Sequence, residues 1–160
     1  MLLGTEVSAR ESHGGESRIK AARFPARKTL EEFDFAFQRS VKKTVVEHLG
    51  QLDFLHAREN VILLGPPGTG KTHIATALGI RACLAGQRVQ FATATQWVTR
   101  LSDAKRNGNL EAELRRLSFI PLIVVDLGRH GDYAEAVREA IVNCARAGGF
   151  GGGRRPRLSA

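Results

Sequence analysis

The chain has 160 residues, 42% of them hydrophobic and 25% charged, with a formal net charge of +8. That length holds one domain with a real core rather than two substantial ones, and the balance excludes a disordered or collagen-like chain. No apolar run reaches bilayer-spanning length, and no apolar stretch followed by a small-residue cleavage site opens the sequence, so no membrane association and a cytoplasmic location are expected.

Residues 2–23 mix Leu2, Leu3, Val7 and Ile19 with charges and a break at Gly14-Gly15, reading as a basic, poorly defined helical lead-in. Pro25 limits any helix that follows, and Thr29 with Glu32 three residues on forms a capping-box pattern that starts a short helix or turn. Phe33, Phe35 and Phe37 alternate with Asp34 and Ala36, as in a strand or extended segment packed on the core. Over residues 39–58, Val41, Val45, Leu49, Leu52 and Leu55 make the stripe of one amphipathic helix, weakened at Gly50.

Val61-Ile62-Leu63-Leu64 is a wholly apolar run ending at Gly65, the form of a parallel strand buried on both faces. A helix is predicted from Lys71 to about Ala85, stopped by Gly86, then a strand over Arg88–Ala92 and a helix capped by Thr95 that carries Trp97, Val98, Leu101 and Ala104. Asn107-Gly108-Asn109 turns the chain into a helix marked by Leu110, Leu114 and Leu117. Pro121–Val125 is a second all-apolar strand, ending in the carboxylate of Asp126. Strands alternate with helices, so the expected fold is α/β with a parallel sheet. Cys83 and Cys144 lie in helix-like segments without metal-ligand spacing and read as buried free thiols.

Between the first strand and its helix stands Gly65-Pro66-Pro67-Gly68-Thr69-Gly70-Lys71-Thr72, which meets the phosphate-loop pattern G-x-x-x-x-G-K-[ST] without a gap. Gly65, Gly68 and Gly70 let the chain curl with its amides inward, and the following helix aims its N-terminal dipole at the same anion. Lys71 adds a full positive charge near the β- and γ-phosphates of ATP, and the Thr72 hydroxyl suits Mg²⁺. A carboxylate at the end of a neighbouring buried strand helps hold that metal in P-loop proteins, and Asp126 fits the description. The next position, where many ATPases carry a second acid that polarises water, is Leu127. Asp132 is the nearest acid beyond, and His130 is a weak substitute because a loop histidine is usually only solvated.

Taken together, the residues resemble the IstB-like helper ATPases of insertion sequences, relatives of the DnaC-type helicase loaders within the AAA+ class. The similar stretch runs from about Arg18 to Asp126 and includes Lys28–Phe35, Leu52-Asp53-Phe54, Arg58–Val61, Gly65–His73 and Ala77-Leu78-Gly79. The resemblance implies a P-loop NTPase three-layer sandwich, with ATP held by Gly65, Pro66, Pro67, Gly68, Thr69, Gly70, Lys71, Thr72 and His73, and Mg²⁺ by Thr72 and Asp126. It also implies a DNA-binding assistant to a transposase, assembling as a homo-oligomer on DNA.

Such proteins normally carry an Asp-Glu pair where Asp126-Leu127 stands, followed by strands with a sensor residue and an arginine finger, which the remaining sequence does not display. Residues 148–155 are Gly- and Arg-rich, typical of a flexible basic tail, while residues 133–147 keep the pattern of a helix. The expected organisation is a basic lead-in over 1–28 as the remnant of an N-terminal domain, a partial AAA+ core over 29–127, and a divergent tail over 128–160. A truncated or frameshifted copy, with an incomplete sheet and doubtful hydrolysis, is the reading that follows. A helicase loader, a basic DNA-binding fragment with a vestigial nucleotide site, and a small-molecule kinase stand as the alternatives. The excess of Lys and Arg suits nucleic acid, although solvated helix faces or a basic tail give the same total.

Overall fold

A computed structural model describes residues 14–128. Helix α1 covers residues 14–22, followed by α2 (Lys43–Leu49), α3 (Asp53–His56), α4 (Lys71–Leu84), β1 (Val89–Thr93), α5 (Ala94–Arg106), α6 (Leu110–Ser118) and β2 (Leu122–Asp126). The two strands pair in parallel with Val89 opposite Leu122 and Thr93 opposite Asp126. A parallel pair needs a long crossover, and α5 and α6 supply it.

Helix α4 is the centre of the molecule. It is apolar nearly all round, with Ile74, Ala77, Leu78, Ile80, Ala82 and Cys83 buried, and such a helix must be covered on several sides. One side meets Leu30, Phe33 and Val46, with Phe35, Val41, Leu49 and Leu63 packed against them. The other end meets Ala22, Leu52 and Val89, joined by Phe24, Phe54, Leu122 and Val124. Gly79 admits Phe24: a Cβ there would stand 2.7 Å from the Phe24 Cε1, and the same ring packs 5.9 Å from the ring of Phe91. The chain before the phosphate loop is thereby tied to both α4 and the sheet.

Several elements depart from the sequence expectations. Gly14 and Gly15 lie inside a helix, where Gly15 is buried with Leu84 close to its Cα. The single helix over 39–58 divides at Leu52, whose φ of 66° is left-handed and incompatible with a continuing α-helix. The run of Phe33, Phe35 and Phe37 is a series of turns because the Asp34 carboxylate accepts the amides of Ala36 and Phe37, offering the backbone a local alternative to a strand. Phe33 is buried, whereas Phe37 is 82% exposed.

Val61–Leu64 forms no strand, since no neighbouring strand among the described residues supplies hydrogen bonds. Leu63 packs on the α4 core, while Ile62 and Leu64 are exposed. Nor is β2 buried on both faces: Leu122 and Val124 enter the core, but Ile123 and Val125 face outward, giving the alternation of a half-covered strand. Among the described residues the other expectations for regular structure hold, with α4, β1, α6 and β2 within one residue or so of their predicted bounds.

Thr93 rather than Thr95 caps α5. Its hydroxyl accepts the Gln96 amide at 3.3 Å and the Gln96 side chain accepts the Thr93 amide at 2.8 Å, a reciprocal box that needs the acceptor three residues after the cap. Thr29 and Glu32 form the same reciprocal pair at the turn where the sequence predicts it.

Candidate functional site

The loop over 65–70 joins the extended segment 61–64 to the first turn of α4. Gly68 and Gly70 hold φ of 82° and 81°, left-handed values that a side chain rarely adopts. Gly70 is the N-cap of α4 and its carbonyl accepts the Ile74 amide at 2.9 Å, the first turn of the helix. No side chain among the described residues caps this end, so the first amides of α4 are left to an external acceptor and the dipole favours an anion there. A Cβ on Gly70 would run into the ring of Phe33, so an aromatic wall stands directly behind the loop.

Within the loop, the Lys71 ammonium donates to the Gly65 carbonyl at 2.8 Å, the Pro66 carbonyl at 2.7 Å and the Thr69 hydroxyl at 3.3 Å. Each of its three protons has an acceptor, and the side chain arches over the loop rather than out to solvent. Thr69 in turn donates to the Pro66 carbonyl at 2.9 Å, tightening the curl. Pro66 and Pro67 are exposed at its tip.

Parallel pairing carries Asp126 to the end of the sheet that faces the start of α4. The Thr72 hydroxyl donates to Asp126 Oδ2 at 3.2 Å, while Oδ1 accepts the Gly128 amide at 3.1 Å. Two of the predicted metal-side residues, 54 positions apart, are thus brought together. Their donor set, one hydroxyl and one carboxylate, is all oxygen and suits a hard cation such as Mg²⁺ that keeps most of its ligands from water and phosphate. Leu127, where a second acid would stand, is partly buried. Among the described residues no group of three or more His, Cys, Asp or Glu side chains assembles as a metal site. His130, Asp132, Cys144 and residues 133–147 lie outside the described residues.

His73 follows the loop but turns away from it. Its Nε2 lies 2.8 Å from the Thr29 carbonyl and its ring stands edge-on to Phe33 at 5.3 Å. It fastens the turn over 29–33 to α4, and with it the aromatic wall. Two contributors are not marked by the sequence patterns. The spacing of Phe33 points only to general packing, and nothing in it singles out a neighbour of Gly70. Thr93 is paired with Asp126 across the sheet, and the signal that could have found it is its T-x-x-Q capping signature, two residues before the Thr95 that the apolar pattern favours.

Comparison with known proteins identifies the family. The chain is 47% identical over 126 residues to the insertion sequence IS21 putative ATP-binding protein of Pseudomonas aeruginosa, covering 79% of this chain and 48% of the relative. It is 36% identical over 125 residues to the insertion sequence IS5376 putative ATP-binding protein of Geobacillus stearothermophilus, covering 78% and 50%. A putative ATP-binding protein in an insertion sequence of Mycobacterium tuberculosis is 31% identical over 125 residues, again covering 78% and 50%. The chain therefore spans about half the length of these curated relatives. Residues 1–144 match the family described as IstB-like ATP binding protein, and with nine-tenths of its length inside that match the chain belongs to this family.

Proposed function

We propose that this chain binds Mg·ATP as a helper ATPase of insertion-sequence transposition does, with the nucleotide phosphates in the loop of Gly65–Thr72. The observation that carries the reading is the contact of Thr72 with Asp126 at one end of the sheet, directly after the loop that Lys71 spans. The loop amides and the α4 N-terminus supply donors for phosphate oxygens, and Lys71 supplies the charge. Thr72 and Asp126 would hold Mg²⁺, which when bound neutralises phosphate charge. Pro66, Pro67, Thr69 and His73 shape or brace the loop.

Leu127 cannot polarise water, so binding without efficient turnover is the activity proposed. The core over 29–127 is a partial P-loop sandwich in this reading, with residues 1–28 as a lead-in and 128–160 as a basic tail. DNA contact, a transposase partner, homo-oligomeric assembly and a cytoplasmic location complete it. The names of the relatives, all tied to insertion sequences, favour a transposase over a replicative helicase as the partner. Among the described residues no helix is long and apolar enough to cross a membrane.

The test is a thermal melt with and without Mg·ATP. Ligand at about 100 times its dissociation constant should stabilise the wild type by roughly 2.7 kcal/mol, a shift of several degrees, and Lys71→Ala should show none. A cooperative wild-type melt that ignores nucleotide would overturn the reading.

A further inference from the structure

At the end of the sheet away from the phosphate loop lies a surface cleft of about 480 Å³ lined by Arg18, Arg23, Arg88, Arg100 and Arg116. These five residues come from α1 and the turn after it, the start of β1, α5 and α6. Arg88 precedes β1, whose far end pairs with Asp126, so the cleft and the loop are separated by roughly the length of a five-residue strand, about 17 Å.

The guanidinium groups are positioned, yet little of their charge is cancelled. Arg18 donates to the Cys83 carbonyl at 3.2 Å and Arg88 to the Phe119 carbonyl at 2.7 Å, bonds that orient a cation without neutralising it. Arg100 and Arg116 share a single carboxylate, that of Glu113. Arg23 sits on a left-handed backbone with φ of 61°. None of the described residues lining the cleft is acidic. Five like charges gathered around one hollow repel one another, and an anion with several phosphates relieves that repulsion while matching the bidentate fork of arginine.

We propose that this cleft binds the phosphodiester backbone of duplex DNA. The inference rests on the DNA contact in the function proposed above and assigns it to the body of the domain rather than to the Arg-Gly tail. Among the described residues no aromatic side chain lines the cleft, so they offer no stacking platform of the kind that holds single strands. Arginines aimed at phosphates, with Ala21, Val89, Gln90 and Ile120 as the rest of the lining, give an interaction that follows the backbone and ignores base sequence.

The experiment titrates the full chain onto a fluorescein-labelled mixed-sequence duplex across a salt series. The wild type is compared with a cleft variant (R23Q/R88Q/R116Q) and a tail variant (R154Q/R155Q/R157Q). The cleft variant should bind at least about tenfold more weakly at low salt, with a log–log salt slope shallower by about 2 to 3, near 0.9 for each phosphate no longer neutralised. The tail variant should stay closer to the wild type. A cleft variant that binds as the wild type while the tail variant fails would overturn the site and leave DNA contact standing. A wild type with no affinity at low salt would overturn the DNA reading itself. Displacement of the duplex by inorganic pyrophosphate at matched phosphate concentration would assign the cleft to a small phosphate ligand and overturn the proposal. Should the triple variant melt without cooperativity, R23Q alone, at a side chain that braces no other element among the described residues, should still shallow the slope by about 1, and an unchanged slope would count against the site.

Discussion

The Thr72 hydroxyl and the Asp126 carboxylate stand 3.2 Å apart, at the start of α4 and the end of β2. Neither the helix nor the strand alone offers both oxygens proposed for Mg²⁺, and the two meet only because β2 is held parallel to β1 under α4. Asp126→Asn keeps the size of the side chain and removes its charge. We expect wild-type stabilisation by ATP to be larger with Mg²⁺ than with a chelator, and Asp126→Asn to show the same melting shift in both. A variant that keeps the full Mg²⁺ dependence would remove Asp126 from the metal side.

Gly70→Ala tests the loop backbone. A left-handed φ of 81° costs a residue with a Cβ about 1–2 kcal/mol, and the new methyl must also displace the Phe33 ring. The melting temperature should fall by at least about 3 to 8 °C, and the Mg·ATP shift should vanish with it. An alanine variant that melts like the wild type and still binds nucleotide would contradict the loop geometry described above.

Cys83 is fully buried, and burial pushes its thiol up to about 11, with Arg18 pulling weakly the other way. Below about pH 7.5 the thiol is neutral in folded and unfolded chains alike, so it has no effect on stability. Between about pH 9 and 11 the unfolded chain releases a proton that the folded chain retains, and stability falls as pH rises, by about 2–3 kcal/mol in total. Urea melts across that window should show the decline, and Cys83→Ala should flatten it. Native Cys83 should also resist alkylation at pH 8 until the chain is unfolded.

Hydrogen exchange separates the first apolar run of the sequence from the paired strands. The amides of β1 that bond to β2 should be protected, whereas those of Val61–Leu64 should exchange quickly for want of acceptors. Protection at 61–64 equal to that of β1 would mean that a strand covers this segment in solution.

Thr76 is 1% exposed, and its hydroxyl has no hydrogen-bond partner among the described residues. Val has nearly the same shape and no polar atom to desolvate, so Thr76→Val should be neutral or stabilising by up to about 1 kcal/mol. A loss larger than that, measured by denaturant titration, would show that the hydroxyl is bonded in solution.

Where a pattern is both local and long, the sequence discloses the structure. The phosphate loop, α4 and β2 follow from glycine spacing, a helical apolar period and a strand ending in Asp126, all of which act within a few residues. The rule that parallel strands bring their C-terminal ends to one edge places Asp126 beside the loop. Failures come where long-range partners decide. Val61–Leu64 has the composition of a central strand, but a strand exists only by its neighbours, and β1 and β2 bond to each other instead. The helical stripe through Leu52 holds only in part as a pattern of burial: Val46 rather than Val45 enters the core from the first helix, and Leu52 reaches it from a left-handed bend between two short helices. The arginine cleft is invisible in the sequence because its members lie as far apart as Arg18 and Arg116, and no spacing rule joins them.

The grip of Lys71 on its own loop bears on how tightly nucleotide holds. All three ammonium protons are already engaged by Gly65, Pro66 and Thr69, so an incoming phosphate finds idle backbone amides but no idle proton on Lys71, whose cation it would have to draw away from these acceptors. In the proposed ATP complex the loop would act as a latch with two positions, one closed by the lysine as seen here and one opened around phosphate, and ATP would select the second. Measured affinity is then the intrinsic affinity reduced by the fraction of molecules whose latch is open. Two chains with identical phosphate ligands in the loop would bind ATP with different strength if their loops held this lysine differently, and Thr69, which touches the ammonium and the Pro66 carbonyl together, sits where that difference is set.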